Sequence, residues 1–312
     1  MTRYGGFSRK GGLRRYRWLP WALVCAVLVA GALLVLYRRI WPPRQGLNPA
    51  QTSYHGTPAK VRRLRETLVA VQSESVEDLI KGLYHEENYG EWVDFSGDAM
   101  PPQVDLQQCL SNPRVLRLQQ GVLPAMGETE RARFLEDFAE RAFQRQRDRV
   151  EASLRRSLDP KAPKNTQSSL ANRLAICASW WLAGHFASAA DVVRHMEKLQ
   201  AYAVDLHARV ASEPRLSDEK KRGWRAFIYL MQPDNACKVT ILAVAIERDR
   251  RVSAAARAEA GRLLSPLPSR KLTVLGSEYT IYQFKTDDEL RAQETGQEPE
   301  VVPALRRLAA GR

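Results

Sequence analysis

The side chains of this chain whose types could carry chemistry are five histidines and four cysteines, and their spacing argues against most of what they could do. A helical zinc site needs two imidazoles four residues apart, with a glutamate after the first to act as base. His85-Glu86-Glu87 starts that pattern, but Tyr89 stands where the second histidine belongs and Gly90 follows it. His185, His195 and His207 are ten and twelve residues apart, which puts successive members on different faces of a helix, so they read as surface or hydrogen-bonded histidines. Cys109, Cys177 and Cys237 contain no C-x-x-C pair and are odd in number, so at most one bridge can form and one thiol is left over. Cys177 and Cys237 stand in apolar surroundings, where cysteine behaves as a small hydrophobe. No phosphate-binding glycine loop, nucleophile elbow or paired Cys/His arrangement occurs, so no catalytic residue, cofactor or metal is expected.

The densest aromatic grouping is Trp180, Trp181 and Trp224 with Phe227 and Tyr229. Its helical spacing points first to a core. An exposed cluster of the same residues would instead be a partner groove, because aromatics dominate interface hot spots.

The elements that must position these residues begin with an address. Residues 1–65 hold thirteen Lys and Arg and no Asp or Glu, while the remaining 247 residues hold 35 basic and 35 acidic side chains. The whole formal charge of +13 is therefore local to the N-terminus. It flanks an uncharged run from Trp18 through Leu36 to Tyr37, with Trp21 near its start. Twenty residues at ~1.5 Å rise cover the ~30 Å of a hydrocarbon core, so this reads as a transmembrane helix with aromatic belts at both ends. That placement speaks for a lipid bilayer and against a nucleic-acid partner.

Cleavage as a signal peptide is disfavoured, since the small triplet Ala30-Gly31-Ala32 lies inside the apolar run. Six basic residues in 1–17, among them Arg14, Arg15 and Arg17, face three in 38–54, two of which are Arg38 and Arg39. The bias places the N-terminus in the cytoplasm and the C-terminal domain outside. Arg outnumbers Lys 37 to 11, as in a GC-rich genome, which makes a bacterial inner membrane the expected location. Ala22, Ala26 and Ala30 recur every four residues and offer a close-packing homodimer face.

After the span, a Pro- and Gly-containing tether is expected over 38–60. A helical domain follows over 61–270, then a β-hairpin over 271–285 around Gly276-Ser277, and a polar tail with a short terminal helix over 286–312. Within the domain, Thr129 can cap a long helix whose stripe runs Leu135, Phe138, Ala142, Val150, Leu154 and Leu158, with a polar gap at Gln146. Val192, Met196, Leu199, Ala203, Leu206 and Val210 alternate steps of four and three, a helix–helix packing seam. The expected fold is mainly α: one N-terminal transmembrane helix, an antiparallel helical-hairpin or bundle domain, and one small C-terminal β-hairpin.

The stretch Trp180, Gly184, Phe186, Ala189, Val193, Met196 resembles the middle of a tetratricopeptide repeat. The resemblance covers fewer than twenty residues and has no second copy 34 residues away.

The functional expectation is a single-pass, non-catalytic helical protein acting as a scaffold or protein-interaction module in the cell envelope, with a protein partner. The alternatives are a membrane-tethered ligand-binding or sensory domain, or an enzyme of an unfamiliar class.

Overall fold

Short polar side chains open most of the helices. Ser75, Asn112, Ser188, Ser217, Asp234 and Ser253 each accept a hydrogen bond from a backbone N–H two or three residues on. This satisfies donors that a helix N-terminus otherwise leaves open. Ser188 and Asp191 form a reciprocal capping box.

The computed structural model describes residues 53–54, 62, 66–85, 104–163, 167, 169–274, 277–284 and 286–311. All belong to one compact unit, Pro49–Phe95 with Ala99–Arg312. A second unit, Met1–Asn48 with Ser96–Asp98, lies outside the described residues, and so does the expected span over 18–37. Among the described residues, no helix is long and apolar enough to cross a membrane.

The chain of elements is β1 (Ser53–Tyr54), α1 (Val76–Gly82), α2 (Val104–Ser111), α3 (Pro113–Arg117), α4 (Glu128–Leu158), α5 (Ser169–Phe186), α6 (Ala189–Ser212), α7 (Asp218–Leu230), α8 (Asn235–Arg248), α9 (Ala254–Leu264), β2 (Ser269–Val274), β3 (Ser277–Tyr282), α10 (Thr286–Thr295) and α11 (Val301–Ala309). The unit is mainly helical, with a small sheet near the C-terminus.

β2 and β3 form the expected antiparallel hairpin, Ser269 opposite Tyr282 through Val274 opposite Ser277. β1 adds a third strand, parallel to β2, with Ser53 opposite Lys271 and Tyr54 opposite Leu272. The tether expected over 38–60 therefore contains two residues of folded structure. A two-residue strand is too short to show alternation, which is why its pattern is silent. Residues 286–300, expected to be loose, carry α10, whose Ala292 is buried and which packs on α7. The long helix α4 begins at Glu128 with Gly127 as its cap, not Thr129.

α5 is the hub. From Leu174 to Ala183 every residue is buried, and the helix packs against α2, α4, α6 and α8. The expected seam on α6 is buried along its whole length but serves two cores. Val192, Met196 and Leu199 join the large one around α5, whereas Ala203, Leu206 and Val210 join a smaller one with Val150, Leu154, Trp224, Ile228 and Met231. Gln146, the polar gap of α4, sits between them. It is fully buried, and its side-chain amide donates to the Met231 carbonyl at 2.6 Å.

α4 and α6 run parallel and in register, tied by a ladder with a constant offset of 58 residues. Arg194 meets Glu136 at 2.5 Å, Lys198 meets Glu140, and Arg209 holds Glu151 through two contacts of 2.9 Å. The Arg209 hydrogen bond keeps the Glu151 carboxyl below its usual value. Tyr202 also donates to Glu151 at 3.0 Å.

Candidate binding site

The site candidates read from sequence settle into the core. Trp180, Trp181 and Trp224 are 2%, 0% and 8% exposed, so their rings are not a docking surface in this structure. Two of the three indoles make side-chain hydrogen bonds. Trp181 donates to Gln119 at 2.9 Å, lies against His185 with tilted rings 4.2 Å apart and meets Tyr279 edge-on at 5.3 Å. Gln119 lies in a π-helical stretch, Leu118–Val122, whose wider turn follows α3. Trp224 donates to Ser157 at 3.3 Å and packs edge-on to Phe227.

The histidines are not assembled with one another. Burial pushes His185 down to about 4, and its Nδ1 lies 3.0 Å from the Trp181 carbonyl. His195 is 8% exposed with Nε2 3.1 Å from Glu136, and burial holds it below its usual value. Among the described residues no group of three His, Cys, Asp or Glu side chains is disposed to hold a metal ion. His85 is described but Glu86 and Glu87 are not.

The third histidine, His207, leads to the most site-like feature. α6, α7, the start of α8 and the segment after α10 enclose a cavity of about 240 Å³. α6 supplies Gln200, Val204 and His207, spaced so that all three share one face. Arg225, Ile228 and Tyr229 come from α7. The turn into α8 adds Gln232, Pro233, Asn235 and Lys238. Gly296 closes the far side at φ +68°, a left-handed conformation that glycine adopts without strain and that lets the chain double back after α10 toward Glu298.

The back of the cavity is ionic. Lys238 donates to Glu298 at 2.7 Å and to Gln232 at 3.2 Å, and Arg306 of α11 pairs with the other Glu298 oxygen. The three charged side chains are 7%, 10% and 12% exposed. Buried charges persist only when paired and hydrogen-bonded, and here two cations share one carboxylate. Arg225, exposed at the cavity mouth, adds a further positive group and makes no ion pair among the described residues. Val204, which lines the cavity from α6, is 57% exposed.

Wider depressions of about 450 Å³ beside Asp249 and Arg251, and of about 410 Å³ beside Glu151 and Arg209, each hold an ion pair whose cation is 71% or 40% exposed, unlike the buried triad at Glu298. No family model, curated protein or solved structure matches this chain. The cavity must therefore be read from its own chemistry.

Sequence reasoning missed this site because its parts are scattered from residue 200 to residue 298 and no two form a motif. The only forward signal was Lys238, a lysine inside the apolar face of α8 between Cys237 and Val239.

Proposed function

We propose that this protein is a single-pass, membrane-anchored helical module of the cell envelope that works by recognition, holding a partner protein through the cavity between α6, α7 and α8. The observation that carries the reading is an excess of cations in a small cavity that also exposes Val204. Two cations share Glu298, and Arg225 and His207 face the same space. An acidic side chain or a chain-terminal carboxylate on the partner complements that charge, and the exposed Val204 beside it offers an apolar contact.

Size supports the protein-recognition reading. Cavities for free small ligands usually run ~300–1,000 Å³, and about 240 Å³ suits one inserted side chain better than a whole cofactor. The membrane anchor rests on the uncharged run 18–37 and its basic flanks.

The test uses the full chain in its membrane with a photo-crosslinking residue at position 204. A discrete crosslinked partner is expected. It should disappear in Arg225→Glu while the denaturation midpoint stays unchanged, because Arg225 is exposed. A partner that survives the charge reversal, or no partner at all, refutes the reading. Stabilisation of the purified chain by small carboxylic acids, without any protein partner, would instead support the ligand-binding alternative.

A further inference from the structure

Cys177 of α5 and Cys237 of α8 stand sixty residues apart in the chain and face each other at the centre of the large core, with their sulfurs 2.9 Å apart. Both are fully buried. A disulfide sulfur pair lies at ~2.05 Å, so less than 1 Å of approach separates this contact from a bond. Cys109, the other buried cysteine among the described residues, is not in this contact.

We infer that Cys177 and Cys237 are a disulfide site, oxidised when the domain folds outside the cytoplasm. The oxidant is a small-molecule or protein disulfide of the envelope. One cysteine, as thiolate, attacks a sulfur of that disulfide, forming a mixed disulfide and expelling one thiol. The second thiolate attacks the bound cysteine sulfur and expels the other thiol. Two protein thiols lose two electrons and two protons, and the external disulfide gains both as two thiols. Because neither sulfur is accessible in the folded unit, the exchange precedes closure of the core.

The bond would have a consequence beyond stability. The loop that it closes contains all of α6 and α7, hence most of the cavity wall, and Lys238 directly follows Cys237. The first turn of α8 is already fixed by Asp234, which accepts from the Cys237 N–H at 2.6 Å. A covalent tie to α5 pins that turn from its other side, so the ionic back of the cavity is held to the hub helix. The bond rests on the proposed placement of the domain outside the cytoplasm and not on the cavity being a recognition site.

The test refolds the full chain in detergent in a glutathione redox buffer, blocks residual thiols under denaturing conditions, and maps peptides by mass. A linked 177–237 peptide is expected, with Cys25 and Cys109 blocked. Cys177→Ser and Cys237→Ser should each abolish the link, and Cys109→Ser should leave it. The chain-entropy model for a loop of this length, spread over a domain of this size, gives a midpoint lowered by roughly 8–16 °C on reduction. The Cys177→Ala/Cys237→Ala double variant should be insensitive to reductant, which separates the bond from general effects of reduction. Four blocked thiols after oxidative refolding, or a link that involves Cys109, overturns the inference.

Discussion

Cutting Leu206 to alanine tests whether α6 really joins two cores. Leu206 is fully buried and Leu199, one heptad earlier, is 1% exposed, but they belong to different clusters. Removing a buried leucine's methyl groups typically costs about 2–5 kcal/mol, transfer and cavity together. A domain of some 250 residues shifts its midpoint by about 2–4 °C per kcal/mol, so each variant should melt roughly 4–20 °C lower. Leu206 sits in the smaller core, which has fewer neighbours able to relax into the gap, and the loss there should be local. Hydrogen exchange should speed up in α7 and the second half of α6 in Leu206→Ala, while α5 and α8 keep their protection. Leu199→Ala should lower protection throughout. Glu197→Ala, on the exposed face of the same helix, should stay within about 0.5 kcal/mol of the parent. Unchanged midpoints for both leucine variants would refute the two-core reading. Loss of protection in α5 from Leu206→Ala would show that the cores are one.

The remaining predictions concern charge, close approach and topology. His185 takes up its proton near pH 6.5 when unfolded but only near 4 when folded. Stability is therefore fully present above about pH 6.5 and is lost as pH falls toward 4, with a ceiling of about 3 kcal/mol. His195 adds in the same direction, and a denaturation series in His185→Phe should show a flatter slope in that window; an unchanged slope refutes the assignment. Gly82→Ala places a Cβ 2.1 Å from the Arg114 Nε, and Arg114 is held by Glu74 at 2.6 and 2.9 Å, so roughly 1–3 kcal/mol should be lost in chemical denaturation. The Glu151–Arg209 pair is partly exposed, so a double-mutant cycle should return no more than about 1 kcal/mol and should shrink in high salt. Protease added to intact spheroplasts should remove the C-terminal domain and leave residues 1–17 protected; protection of the domain would invert the topology.

The helical part of the fold was legible wherever one residue signals for itself. Ser75, Ser188 and Ser217 announce helix starts, and the α6 stripe announces a buried face. What stayed hidden was relation across distance. The stripe on 192–210 reads as a single seam because its periodicity never breaks, although its two halves pack on different partners. The ladder between α4 and α6 reads as a solvated charged surface until both helices are laid side by side. Gln146 reads as a defect in an apolar stripe, yet it makes a buried bond to the Met231 carbonyl of the smaller core. The cavity draws on four separate elements, and α10, which helps to close it, has the polar composition of a loop. Cys177 and Cys237 read as independent core fillers, since nothing in a sixty-residue separation reveals that two helices meet there.

The shortest element in the fold sets the order in which it can be finished. Ser53 and Tyr54 emerge early in synthesis, whereas Lys271 and Leu272, their partners, come roughly 220 residues later. No earlier strand among the described residues can receive β1, so the pairing waits until nearly the whole unit has been made. Joining ends that far apart carries a large loop-closure entropy, and the helices between must first shorten the path. The parallel pairing is then a late step that depends on everything between. A chain truncated at residue 60, where composition alone would place the domain boundary, would fold its helices but lack that final clasp. A chain begun at Pro49 keeps it.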